Sequence, residues 1–316
     1  MREDVEFVSE GVTVRGHLYL PDSGPRPCPV VVMAGGWCYV KELVQPDYAK
    51  AFVQAGFAAL VFDYRNFGTS DGTPRWHINP WGQIEDYKNA ISYVEQREDL
   101  DAERIGIWGI SYSGGHVLVL AATDPRVKCV VSNIPVVDGY HAMRLVQGSF
   151  AFRELQQMML EDRRTRARTG EYGYLPMSSA DPKSVLSTWP FPEVTAAFER
   201  LKQTEAPNHE HRSTVASVEL LCSYDVSPYA RRILNVPTLM TVAEGDDITT
   251  WDDEIAVFNL IPTTKKRLFI FEATSHMTLY SNKSRLEIAA AEGSSWFVEH
   301  LVNPYSKNPT RPTKGD

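Results

Sequence analysis

Apolar positions along the chain fall into two rhythms. Residues 5–9 and 12–20 alternate apolar and polar around Glu10-Gly11, the period-two pattern of a β-hairpin. Beyond it, short and almost wholly apolar runs alternate with segments of helical period. Residues 30–34, 58–63, 104–110, 127–132, 238–243 and 267–271 read as strands covered on both faces. Helical spacing predicts helices near 46–55, 83–97, 111–122 and 284–301. Strand-helix alternation of this kind predicts an α/β fold, with a mostly parallel eight-stranded sheet and helices on both faces. The opening hairpin supplies an antiparallel edge.

One stretch breaks the rhythm. Residues 139–234 are helical, charged and aromatic, with no convincing strand. A segment of that length cannot be one loop in a compact domain. It is expected to be a helical cap, inserted into a core made of residues 1–138 and 235–302. Residues 303–316 are rich in Pro, Lys and Thr and are expected to form a flexible tail.

Composition narrows the function classes. The net charge is −8 and no long basic run occurs, so no nucleic-acid partner is expected. The longest apolar runs are strand-sized, far below the roughly 18 residues of a membrane span, so no membrane partner is expected. The N-terminus lacks the apolar core of a secretory signal. Cys28, Cys38, Cys129 and Cys222 have no metal-ligand spacing and read as free thiols of a cytoplasmic protein. Whether the chain forms a homodimer is left open.

Candidate chemistry sits at the predicted strand ends. Residues 104–110 run straight into Ser111-Tyr112-Ser113-Gly114-Gly115, a strand, a sharp turn and a helix with serine at the apex. Gly109 and Ser113 supply the small residues that such a turn needs. Ser113 competes for the nucleophile's place, but Ser111 follows the strand directly. A serine hydroxyl needs a base held by a third group. After strand 238–243 comes Glu244-Gly245-Asp246-Asp247, and Asp246 is the expected acid. Asp247, Glu244 and Asp138 are alternatives. After strand 267–271 comes His276, the expected base. The remaining histidines lie in helices, the hairpin, the loop after Asp63 (His77) or the insertion, among them the His209-x-His211 pair, which lacks further metal ligands. Backbone N–H groups of Tyr112 and Trp37 are the expected oxyanion donors. Gly35-Gly36 would let the loop approach the substrate.

These residues carry a resemblance. Met33-Ala34-Gly35-Gly36-Trp37, Asp63-Tyr64-Arg65-Asn66-Phe67-Gly68-Thr69-Ser70, Gly109-Ile110-Ser111-Tyr112-Ser113-Gly114 and Ser275-His276-Met277 resemble the α/β-hydrolase superfamily. The chain is most similar to its dienelactone-hydrolase-like and Xaa-Pro-dipeptidyl-peptidase-like members, including polyketide-transferase-like hydrolases. That resemblance implies the α/β-hydrolase fold and a triad of Ser111, Asp246 and His276, with no cofactor and no metal. It also implies that the Tyr39 side chain could donate to the oxyanion. The Gly35-Gly36 pair departs from the His-Gly common in that loop. The expected reaction is cleavage of a small-molecule ester, thioester or lactone through an acyl-enzyme. Acyl transfer, cyclisation and carbon–carbon bond hydrolysis are the alternatives. Tyr39, Phe152 and Trp189 are the expected pocket walls. The other insertion aromatics are expected to be mostly core. Arg163, Arg164, Arg166 and Arg168 form a basic cluster that reads first as a solvated helix face.

Overall fold

A computed structural model describes residues 1–303. The chain opens with β1 (Arg2–Ser9) and β2 (Val12–Tyr19), an antiparallel hairpin turned by Glu10 and Gly11, both at positive φ. Then follow β3 (Cys28–Ala34), α1 (Gln45–Gln54), β4 (Ala58–Phe62), α2 (Pro80–Glu95), β5 (Leu100–Ile110), α3 (Tyr112–Thr123) and β6 (Cys129–Asn133). Every residue of β3, β4 and β6 is buried, which is why they read as continuous apolar runs. A segment outside the sheet follows: α4 (Gly139–Thr169), β7 (Tyr174–Pro176), α5 (Pro192–Thr204), β8 (Arg212–Thr214), α6 (Val215–Leu221) and α7 (Ser227–Ala230). The chain returns through β9 (Thr238–Ala243), α8 (Trp251–Leu260), β10 (Lys266–Phe271), α9 (Thr278–Ser281) and α10 (Lys283–Phe297), which runs into a π-helical turn, Val298–Val302.

The main sheet has eight strands in the order β1-β2-β4-β3-β5-β6-β9-β10. From β4 to β10 all neighbours are parallel, and β2 joins β4 antiparallel. Alternate residues of β5 face opposite sides. Gly106 lies against Phe297 of α10 and Trp108 packs at a tilt on Tyr48 of α1, whereas Gly109 meets the start of α3. Helices therefore cover both faces, and the carboxyl ends of the parallel strands share one edge, where open α/β sheets hold ligands.

Two expectations need correction. Residues 139–234 are not free of strand: β7 and β8 form a two-stranded antiparallel ladder, Tyr174 opposite Thr214. Three residues ending in Pro176 give no readable alternation. The apolar pattern also predicts no helix at α8, whose first turn carries Asp252, Asp253 and Glu254 and so masks its apolar stripe. These acids suit the positive end of the helix dipole. Within α4 the backbone breaks at Gly148, with φ 65° and ψ 179°, so the element is two helices joined at a glycine. Apart from Asn303, the expected tail lies outside the described residues.

Candidate active site

The turn from β5 into α3 places Ser111 at its apex with φ 58° and ψ −118°, a strained backbone for a residue with a Cβ. Backbone bonds hold it there: Ser111 N donates to Asn133 O at 2.9 Å, and Ser111 O accepts from Val136 N at 3.0 Å. Gly109 is required, because a Cβ there would come within 2.3 Å of the Ser113 carbonyl oxygen. Ser113 is wholly buried. Its hydroxyl accepts from Ile110 N at 2.8 Å and faces the carbonyls of Ala34 (2.8 Å) and Ile110 (3.0 Å). The two serines thus differ in position: one is strained at the cavity, the other knots the turn to β3.

Asp246, just past β9, and His276, past β10, meet beside this apex. Asp246 Oδ2 accepts from His276 Nδ1 at 2.6 Å. Its Oδ1 accepts from the backbone of Ile248 (3.0 Å) and Thr249 (2.9 Å). Burial opposes ionisation of Asp246. Electrostatic attraction to the His276 ring, the bond from that ring and the Thr249 amide outweigh it and hold the carboxyl below its ordinary range. A carboxylate on Nδ1 fixes the tautomer, leaving Nε2 as an acceptor. In this structure Nε2 accepts from the Tyr280 hydroxyl at 3.2 Å, and the two rings stack at 5.4 Å. The competing acids are occupied or remote. Asp138 caps α4 by accepting from His141 N at 2.9 Å, Glu244 accepts from Ala273 N at 2.9 Å, and Asp247 is exposed.

The loop after β3 packs on the apex. A Cβ on Gly36 would lie 3.0 Å from the Ser111 Cβ, so only glycine lets the loop sit so close. Trp37 follows. Tyr112 is the first residue of α3, so its N–H has no acceptor within the helix.

Ser111 and His276 line one small cavity. Its other walls are Trp37, Tyr39, Met177, Trp189, Val194, Phe198, Ile248, Met277 and Tyr280. Met177, Trp189, Val194 and Phe198 come from the 139–234 segment. No lysine, arginine or free carboxylate is among these walls. Trp189 and Tyr39 are among these walls. Phe152 is not: it is buried beside Tyr140 of the same element, 5.5 Å away, under the Arg144 guanidinium. Aromatic content alone could not separate wall from core. The sequence reading missed Tyr280, for which the only signal was its spacing of four from His276.

Two arginines of the basic cluster are paired, and Arg164 and Arg168 are exposed. Arg166 binds Asp162 at 2.6 Å and Glu219 at 3.0 Å, and Arg163 also binds Glu219. His116, buried between Tyr224 and Gln83, has its pKa pushed down to about 3 by desolvation. The cysteines are all free.

The model of the X-Pro dipeptidyl-peptidase (S15) family matches residues 10–278, spanning the serine apex, Asp246 and His276. The chain belongs to that family. Among relatives of this S15 member, the thiohydrolase aneE of Aspergillus aculeatus is 29% identical over 86% of each chain. The polyketide transferase af380 of Aspergillus fumigatus is 28% identical over 91% of this chain and 94% of its own. The solved structure of DcsB in complex with its substrate analogue superposes with a TM-score of 0.82 at 25% identity, covering 96% of this chain and all of that one. The α/β hydrolase GrgF from Penicillium superposes with a TM-score of 0.80. The S15 member is thus an α/β-hydrolase-fold protein of a hydrolase family. No helix among the described residues is long and apolar enough to cross a membrane.

Proposed function

We propose that the protein is a serine acyl hydrolase that cleaves thioesters or oxygen esters of neutral, apolar acyl groups. The observation that carries this is the 2.6 Å Asp246–His276 pair opening, with Ser111, onto one apolar cavity. Ser111 attacks the carbonyl and His276 Nε2 takes its proton, while Asp246 stabilises the imidazolium. The Tyr112 and Trp37 amides receive the oxyanion, with one donor worth about 10²–10³ in rate. The leaving thiol or alcohol takes the proton back from His276, and water then resolves the acyl-enzyme. Tyr280 holds Nε2 in this structure, so the Ser111–His276 bond forms as substrate displaces its hydroxyl. The free cysteines favour a reducing, cytoplasmic setting.

The family's descriptive name implies a peptidase, but the walls offer no carboxylate to hold a peptide's terminal ammonium. Acyl transfer is the second reading. It is favoured by burial: Ser111 is 6% and His276 3% exposed, so an acyl-enzyme here is shielded from bulk water. A panel of acyl thioesters, oxygen esters and Xaa-Pro amides, run with and without a small alcohol, tests both readings. Hydrolysis of uncharged thioesters and esters, abolished by Ser111→Ala, is expected. Preferential amide cleavage would reject the first reading, and alcohol adducts outrunning hydrolysis would favour the second.

A further inference from the structure

The His209-x-His211 pair finds no role in the chemistry above, yet both rings are largely buried and hydrogen-bonded end to end. His209 Nδ1 lies 3.1 Å from the Cys38 carbonyl oxygen. A carbonyl only accepts, so Nδ1 carries the proton and donates. His209 Nε2 lies 3.3 Å from His211 Nδ1, and His211 Nε2 lies 2.6 Å from the Ser178 hydroxyl. That hydroxyl lies 2.7 Å from Thr195 of α5. With both rings neutral, the direction of every bond is fixed. Thr195 donates to Ser178, Ser178 to His211, His211 to His209, and His209 to Cys38. Desolvation pushes the two pKa values down to about 3 and about 4, so both rings stay neutral at ordinary pH.

The far end of this chain is the loop that packs on Ser111. Cys38 follows Trp37 and sits at φ 61°, a conformation that persists in a non-glycine residue only when its surroundings impose it. Tyr39 N closes the turn around it by donating to Gly36 O at 3.4 Å, and two further bonds come from the 139–234 segment: His209 donates to the Cys38 carbonyl, and the Arg212 carbonyl accepts from the Cys38 thiol at 3.4 Å. Trp37 and Tyr39, on either side, line the cavity. Phe198 lines it too and packs on both histidine rings, 5.1 Å from His209 and 5.9 Å from His211. The same histidines therefore contact a cavity wall and hold the backbone next to the Trp37 amide.

We propose that His209, oriented by His211 and Ser178, is a positioning residue that locks the Cys38 peptide and so holds the Trp37 amide in register for the oxyanion. The proposal rests on the acyl-hydrolase reading above. It makes the insertion part of the catalytic geometry, because two of the bonds that brace the oxyanion loop come from outside the sheet.

The test uses the full chain, with a thioester turned over by the wild type and a matching trifluoromethyl ketone as a transition-state mimic. For His209→Ala, kcat is expected to fall about 10- to 100-fold, since small displacements of catalytic groups cost up to about 10²-fold. KM should move less than about threefold, because the oxyanion interaction is made in the transition state. Ketone affinity should fall with kcat/KM. His209→Asn keeps a donor where Nδ1 stands and should return kcat to within about threefold of wild type. If His209→Ala does not fold, His209→Leu fills the space without a donor and reads the same comparison. Ser178→Ala, at the other end of the chain, should lower kcat in the same sense but less. Unchanged kcat in the donor-less variant, or a fall in kcat with ketone affinity intact, overturns the proposal. Ser111→Ala run alongside separates the two failures. If it is inactive while His209→Ala behaves as wild type, only the tether is wrong; if it stays active, the underlying site is wrong.

Discussion

Ser111 and Ser113 stand two residues apart and should fail in opposite ways when their hydroxyls are removed. Ser113→Ala strands the Ile110 N–H, which now donates to Ser113 Oγ at 2.8 Å inside a fully buried turn. The Ala34 carbonyl loses a 2.8 Å partner, and the Tyr87 hydroxyl 3.4 Å away already donates its proton to the Trp108 carbonyl at 2.7 Å. One stranded buried donor costs about 1–3 kcal/mol. In a chain of this size that lowers Tm by about 2–6 °C, at about 2 °C per kcal/mol. The turn survives, so kcat should fall by about tenfold at most. Ser111→Ala removes an Oγ at the cavity and keeps the Cβ, leaving backbone strain and packing as they were. Its Tm should stay within about 1 °C of wild type, while turnover drops by about 10⁴–10⁶, as when a nucleophilic serine is lost from a triad. Calorimetry and fluorophosphonate labelling of both variants read this directly. If Ser113→Ala abolishes labelling while Ser111→Ala is still labelled and active, the turn has been read one register off.

Other expectations concern the rest of the site and the fold's response to acid. Asp246→Asn should cost about 10⁴ in kcat by favouring the wrong imidazole tautomer, while exposed Asp247→Asn costs about tenfold or less; steady-state kinetics on both decides whether the acid is correctly placed. Gly36→Ala puts a Cβ 3.0 Å from the Ser111 Cβ, about 0.5 Å inside a comfortable contact, so kcat should fall by about tenfold with little change in Tm. Acid should unfold the protein through its buried neutral histidines. His116 and His209 sit at about 3 and His211 at about 4, below the unfolded value of about 6.5. The unfolded chain therefore binds more protons as pH falls from about 6.5 towards 3, and stability declines by up to about 1.4 kcal/mol per pH unit per histidine. Urea titrations at pH 7, 5.5 and 4.5 should show falling midpoints; a flat profile would contradict the buried neutral rings.

What the sequence showed depended on how far a pattern is forced by physics. Strands buried on both faces must be apolar throughout, so β3, β4, β6 and β9 announce themselves. Ser111, Asp246 and His276 could be nominated because each must stand just beyond a strand end, whatever lies between. The 139–234 segment obeys no such rule. β7 and β8 are too short to alternate, and the α4 break rests on one glycine. Whether an aromatic faces the cavity depends on how the segment folds back: Trp189 does and Phe152 does not. Met177, Val194 and Ile248 are ordinary apolar residues that no motif distinguishes as walls. The His209-x-His211 pair was visible as a pair but not as a tether, because its partner Cys38 lies 171 positions away.

The central claim is that acyl groups pass through Ser111. Intact-protein mass spectrometry of the enzyme quenched in acid during turnover of an acyl thioester, followed by peptide mapping, tests it most directly. One acyl mass per chain, located on the peptide bearing Ser111 and absent from Ser111→Ala, is the expected result. Undiminished turnover by Ser111→Ala, or an acyl group mapped to Ser113 or to a cysteine, would contradict it.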